Sequence, residues 1–405
     1  MAAALAGQTQ GQAQGQVREV VLGMSAPFTG PARGLGFEFY RGALAAFQEE
    51  RRQHPYALPP VHLQCRDDRY NPLETLRNTI RFLEDNVFCL FGYVGTPTTL
   101  RVLPLLARNE SSAMTLLFPF TGSSALRTGP YAGQLAHMRA SYLDEAEALV
   151  EQAVATGRRR IAVFYQADSF GRSGWESVRQ ALARRGLDIY AEAAYLRDDS
   201  MDSEYTAAVA RIAPAGKEPP DAIVCVGLYC PTAGFIRDAR KAGLQSLMVT
   251  MSIVDSDNLL LHLRREGERT GMDLTRNLVG VQVVPSYEDQ RLPAVRAYRQ
   301  AMERVAAPSP VPDRAEDYTP LRYSMVGLEG YLAAQLLLEA LRRMDKDIRP
   351  ERLREVLRTM DDFDLGINAP LHVSASALVG VQQVYFTEFQ KDRVVPLQQW
   401  PGFAP

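Results

Sequence analysis

Val87-Phe88-Cys89-Leu90-Phe91-Gly92-Tyr93-Val94 runs straight into Gly95-Thr96-Pro97-Thr98-Thr99, and the reading of this junction decides the fold. The apolar run predicts a strand whose end turns directly into a helix. Thr96 at the N-cap and Pro97 at the first helical position are the residue types a helix start favours, because Pro97 lacks an amide hydrogen that would have no partner there. The remaining first-turn amides point into the space above the strand end. Unpaired donors and the positive end of the helix dipole then attract an anionic or strongly polar group. Thr121-Gly122-Ser123, after the apolar run 113–118, repeats the pattern. Two such starts in one half of an α/β protein predict a pocket for a small polar ligand.

Around this junction, strand-like runs alternate with helix-like segments for most of the chain, the pattern of parallel sheets covered by helices on both faces. Strands are expected at 17–24, 61–65, 87–94, 113–118, 161–165, 187–195, 222–226, 247–251 and 278–285, with strand chemistry returning at 381–389 and 394–397. Helices are expected at 37–51, 142–155, 174–185, 202–212, 231–242, 292–305, 323–344 and 350–360. Asn71-Pro72-Leu73-Glu74 opens a further helix with a capping-box-like acid. Leu73, Leu76, Ile80 and Leu83 share one of its faces, and that spacing predicts a buried stripe. Ser141 can cap the helix at 142, with Asp144 at its third position.

A chain of 405 residues exceeds the usual size of one hydrophobic core, so two lobes are expected. The composition, 46% hydrophobic and 23% charged, is that of a globular protein. A net charge of -2 argues against a nucleic-acid partner, which calls for a basic face. No apolar stretch approaches the roughly 20 residues that span a bilayer, so direct membrane insertion is not expected. Ala4-Leu5-Ala6 fits the small-x-small pattern before a signal cleavage site, and a Gln/Gly tract follows. Residues 1–16 therefore read as an export-signal remnant or a disordered N-terminus. Cys65, Cys89, Cys225 and Cys230 form no CxxC pair, and any pairing stays open.

Catalytic motifs are missing. Gly30, Gly34 and Gly36 lack the G-x-G-x-x-G spacing of a dinucleotide site. No Walker A or HExxH sequence occurs, the five histidines are scattered, and Gly171-Arg172-Ser173-Gly174 has the wrong spacing for a nucleophile elbow. Neither a cofactor nor a metal is expected. Asp67-Asp68 can be read as a carboxylate pair for metal or acid-base work, although such a pair more commonly ends a strand and caps the next turn.

Taken in order, Ser25-Ala26-Pro27-Phe28-Thr29-Gly30, Asp67-Asp68 with Asn71-Pro72, Gly95-Thr96, Arg139-Ala140-Ser141-Tyr142, Asp168-Ser169-Phe170-Gly171 and Leu328-Glu329-Gly330-Tyr331 resemble type I periplasmic solute-binding proteins of the branched-chain amino-acid transporter group. The resemblance covers about 17–397. It implies two Rossmann-like lobes with mainly parallel sheets, joined by a three-crossover hinge and closing on a small ligand. Lobe one is then 17–137 with 285–365, and lobe two 138–284 with 366–405. The ligand is expected beyond the carboxyl ends of the strands. Candidate contacts are Phe28 and Thr29 in the first loop, Tyr93, Gly95 and Thr96 after the third strand, and Phe120, Thr121 and Gly122 after the fourth. By the resemblance, Thr96 and Gly122 help hold a carboxylate, Phe170 and Tyr229 form aromatic walls, and Ser252 stands where an acid often meets the ligand ammonium; Ser141 is a further candidate ligand contact.

Ser252 is a departure. Without that acid an ammonium loses a partner worth about 1.5 to 3 kcal/mol, which opens the way to a carboxylate or amide without an amine, or to a charge supplied by Asp168 or Asp255. Gln53-His54-Pro55-Tyr56 likewise replaces a glycine-rich turn of the family. Arg139, at a crossover, is expected to pair with protein acids or carbonyls. The resemblance implies a non-enzymatic, extracytoplasmic binding component of an ABC transporter, a monomer that presents an amino acid, amide or small carboxylate to a membrane permease. A sensing module of a signalling system and a cytosolic α/β enzyme are the rival readings. Each candidate also has a plainer role, as a helix cap for the threonines and as a loop anchor for the aromatics.

Overall fold

In the computed structural model of the chain, residues 19–108, 114–128, 130–311, 318–373 and 380–402 are described. The expected N-terminal remnant, 1–16, lies outside them, as does residue 113 of the expected fourth strand. The first half alternates β1 (Val20–Ala26), α1 (Arg33–Gln53), β2 (Val61–Asp67), α2 (Pro72–Glu84), β3 (Cys89–Phe91), α3 (Thr96–Arg108), β4 (Leu116–Leu117), the single turn α4 (Ala125–Thr128) and β5 (Leu135–Ala136). Its strands form one parallel sheet in the order β2-β1-β3-β4-β5.

The second series runs α5 (Tyr142–Ala155), β6 (Ile161–Gln166), α6 (Ser169–Ala183), β7 (Glu192–Tyr195), α7 (Thr206–Ile212), β8 (Ala222–Val226), α8 (Tyr229–Lys241), β9 (Leu247–Thr250), α9 (Ser256–Thr270) and β10 (Leu278–Gln282). Next come α10 (Pro293–Met302), α11 (Met325–Met344), α12 (Pro350–Leu357), β11 (Tyr385–Phe389) and β12 (Val394–Pro396). The second sheet has the order β12-β11-β10-β9-β8-β6-β7, with β11 antiparallel to both β10 and β12 and the other pairs parallel. Central strands β6, β8, β9 and β10 are almost wholly buried, as expected of strands covered on both faces.

Although α10 and α11 follow β10, both pack on α1 of the first sheet, and Arg354 of α12 donates to Thr115 Oγ1 (3.0 Å) beside β4. The chain therefore passes between the two layered bodies three times, after β5, after β10 and after α12. The α1–α11 contact is backbone against backbone. A Cβ on Gly42 would lie 1.8 Å from the Gly327 carbonyl oxygen, and one on Gly330 would lie 2.2 Å from that of Phe39.

Three expectations are corrected. α9 occupies a stretch to which the sequence assigned no helix. The seventh strand is confined to its last four residues, Glu192–Tyr195. On α2 the expected apolar stripe is only partly buried, with Leu73 53% and Ile80 41% exposed and Leu83 packed against the core. Thr75, Asn78, Thr79 and Phe82 are buried instead. The polar members of that face repay their burial with hydrogen bonds: Thr75 to Asp68, Asn78 to Ser25 and the Asp67 carbonyl, and Thr79 with Tyr93. All four cysteines are free thiols, and burial pushes Cys225 and Cys230 up to about 12.

Candidate ligand cleft between the lobes

The carboxyl ends of both sheets carry the loops that meet between the lobes. In the first, Asp67 and Asp68 act as organisers. Asp67 accepts the Phe28 and Thr29 amides (2.8 and 3.2 Å) and the Thr29 hydroxyl (2.5 Å), which ties the β1 loop to the end of β2. Asp68 accepts from Ser25, Thr75 and the Tyr70 amide, and burial pushes its carboxyl up to about 7. The pair thus caps and links turns. Phe28, wholly buried, packs edge-on against Phe37 and Tyr40, so neither it nor the Thr29 hydroxyl faces an empty site.

The β3 and β4 loops come together at a chain of hydroxyls. Thr96 and Thr121 share a hydrogen bond of 2.7 Å, and Thr121 lies 3.3 Å from the hydroxyl of Tyr142, the first residue of α5. The Gly122 carbonyl accepts the Tyr142 amide (2.8 Å), and a Cβ on Gly122 would meet the Tyr142 ring at 2.7 Å. Phe170 sets its ring 5.7 Å from that of Tyr142. Thr96, Thr121, Gly122 and Phe170 are therefore brought to one place. Two details differ from expectation. The Gly95 carbonyl takes the first helical bond, from Thr99 (3.2 Å), which makes Thr96 the first helical residue and leaves its hydroxyl to meet Thr121. After Thr121 there is only the single turn α4, too short for a substantial dipole.

Other candidates are engaged within the protein. Tyr93 turns into the core on the opposite face of the first sheet, its hydroxyl 2.9 Å from Thr79. Phe120 packs against Phe39 and lies under the Arg139 guanidinium at 4.4 Å. Ser141 spends its hydroxyl in a capping box with Asp144. Ser252 bonds to Glu145 through its amide (2.8 Å) and hydroxyl (2.9 Å) and accepts from Arg139.

That last contact belongs to the hinge. Arg139, on the first crossover, stands 3.8 Å from Glu145 of α5 and 3.6 Å from Glu329 of α11, all three buried. Burial raises both acids, Glu329 to about 7, with Arg139 opposing the rise. One cation thus joins helices of both lobes beside the first crossover.

Across the cleft the lobes touch directly. The Tyr229 hydroxyl accepts the Gly34 amide (3.0 Å), Ser173 bonds to Ser123 (3.0 Å), and Asn258 donates to the Tyr318 hydroxyl (3.3 Å). Tyr229 is further stacked on His262. Asp168, offered as a substitute charge, is consumed: it caps α6 through the Phe170 and Gly171 amides and pairs with Arg197 at 2.8 Å. Asp255 sits at the α9 N-cap with φ +64°, and its carboxyl accepts only from Asn258 among the described residues. Burial, with Asp257 and Glu38 nearby, pushes it up to about 8.

Tyr70 and Arg197 were not singled out from the sequence. Tyr70 lies in the same loop as the Asp67-Asp68 pair, and its ring faces Arg197 at 5.6 Å. The nearest available signal was that pair, whose capping role places the next residues at the cleft.

The periplasmic binding protein family model matches residues 19–393. The structure of a possible leucine/isoleucine/valine-binding protein from Rhodopirellula baltica SH 1 aligns with a TM-score of 0.80 at 29% identity, over 95% of this chain and 98% of that one. A branched chain amino acid ABC transporter protein from Thermus thermophilus, solved with bound valine, shares the fold with a TM-score of 0.76 at 20% identity, over 96% and 98%. Leu/Ile/Val-binding protein homolog 3 of Brucella melitensis biotype 1 is 22% identical over 250 residues, 60% of this chain. The match spans 63% of that relative's length. Among the described residues no helix is long and apolar enough to cross a membrane.

Proposed function

The chain belongs to the periplasmic binding protein family, and from that premise we propose that it is the extracytoplasmic solute-binding component of an ABC transporter, a monomer capturing a small polar organic molecule between lobes 17–137 with 285–365 and 138–284 with 366–405. The solute is an amino acid, an amide or a small carboxylate. The observation that carries this reading is the meeting of loops from both sheets at Thr96, Thr121, Tyr142 and Phe170, together with the Tyr229 to Gly34 bond between the lobes. A solute held there replaces water with hydroxyl and amide partners, and each lobe then adds contacts only in the closed state. Ligand affinity is thereby converted into a closed surface that a permease can recognise. Family and structural relatives are binding proteins, and the engaged roles of Asp67, Asp68 and Asp168 are structural, in keeping with capture rather than turnover.

A thermal-shift screen of amino acids, amides and small carboxylates tests the reading. A solute at 100 times its dissociation constant adds about 2.7 kcal/mol to stability, and the shift should vanish in Thr96→Ala and Tyr229→Ala. Undiminished binding in both variants would reject this cleft as the site.

A further inference from the structure

Arg69 and Tyr70 both have positive φ, +52° and +59°, a region costly for residues with side chains. The turn is held by the two aspartates before it: Asp67 accepts the Arg69 amide (3.1 Å), Asp68 the Tyr70 amide (2.9 Å), and the Asp68 carbonyl the Asn71 amide (2.7 Å). The Tyr70 ring lies against Gly95, where a Cβ would come within 2.4 Å of it. Only 4% of Tyr70 is exposed, yet its hydroxyl has no hydrogen-bond partner among the described residues. Asp168, Tyr142, Arg197 and Tyr195, all from the second series of elements, lie near enough to act on the phenol, and the Arg197 guanidinium faces its ring at 5.6 Å. The hydroxyl therefore faces the opposite wall of the cleft.

A buried phenol with an unmet hydroxyl is less stable than phenylalanine in the same place, since desolvation is not repaid. Such a group is explained by a partner that arrives later. Resting on the solute-binding reading above, we propose that the Tyr70 hydroxyl is a direct ligand contact, donating a hydrogen bond to an acyl oxygen, carboxylate or carboxamide, of a solute seated beside Thr96, Thr121 and Tyr142. Burial holds the phenol well above its ordinary value, so it keeps the proton it donates at neutral pH. The neighbouring hydroxyls can donate as well, which suits an oxygen acceptor.

Tyr70→Phe is the test, read in two ways. The first compares melting temperatures of the full chain stripped of solute by unfolding and refolding. With an unmet hydroxyl removed, the variant should melt at or above the wild-type temperature; a lower value means the hydroxyl already has a structural partner and overturns the proposal. The second is calorimetric titration with valine, 2-oxoisovalerate and valinamide. Whichever probe the wild type binds should lose about tenfold in affinity in the variant, and unchanged affinity overturns the proposal. Binding of 2-oxoisovalerate alone identifies carboxylate recognition, and of valinamide alone carboxamide recognition. If the wild type binds none of the three, the solute-binding reading fails and the Tyr70 contact falls with it, whereas unchanged affinity for a probe that does bind defeats the Tyr70 contact alone.

Discussion

Replacing Asp255 by asparagine should reverse a pH-dependent loss of stability. Asp255 is 1% exposed and makes no ion pair among the described residues; its oxygens accept the Asn258 amide at 3.2 Å and the Asn258 side chain at 2.7 Å. Burial, with Asp257 and Glu38 close enough to oppose its ionisation, pushes it from 3.8 up to about 8. A raised carboxyl means that the folded chain holds a proton the unfolded chain releases, so stability falls as pH climbs from about 4 to about 8. At pH 7 the unfolded side chain is about three pH units past its midpoint, which at about 1.4 kcal/mol each makes the loss of order 4 kcal/mol. Asn tolerates the left-handed backbone here and keeps an oxygen for the Asn258 amide. Urea unfolding of both proteins at pH 5 and pH 8 should show Asp255→Asn gaining about 3 to 4 kcal/mol on wild type between the two conditions. A stability difference that stays constant with pH would refute the reasoning, because it would mean that the carboxyl ionises in the folded protein as easily as in water.

Two other perturbations probe the frame around the cleft. Arg139→Met strands Glu145 and Glu329 without their cation and should cost about 3 to 5 kcal/mol in chemical denaturation, more at pH 8 than at pH 6 because more of the acid is then ionised. Gly42→Ala drives a Cβ into the Gly327 carbonyl and should lower stability by about 1 to 3 kcal/mol in the same assay, with no direct contact to the candidate ligand residues.

Local sequence chemistry was legible wherever a residue acts on its own backbone neighbourhood. Asn71 accepts the Leu73 amide, and Ser141 with Asp144 closes a capping box, as their spacing predicts. Asp67-Asp68 was readable as a cap for the same reason. Local chemistry is ambiguous where two faces satisfy one pattern. The α2 sequence has both an apolar stripe and a face of Thr75, Asn78, Thr79 and Phe82, and hydrophobic spacing favoured the first. Partners supplied by Ser25, Asp68 and Tyr93 made the second face the buried one.

The alternation of strands and helices, α9 and β5 apart, and the turn at Gly95-Thr96 follow from the sequence alone, because apolar periodicity, proline and glycine act over a few residues. Which side chains face the cleft was decided only in three dimensions. Ser252 is drawn into the hinge by Glu145, 107 residues away, Tyr93 is turned to the far side of its sheet, and Tyr70 is left with a hydroxyl that has no hydrogen-bond partner among the described residues, opposite residues of the second lobe. Burial, ion pairing and hydrogen-bond satisfaction depend on groups distant in the chain, so the tertiary structure had to choose among roles that local spacing left open.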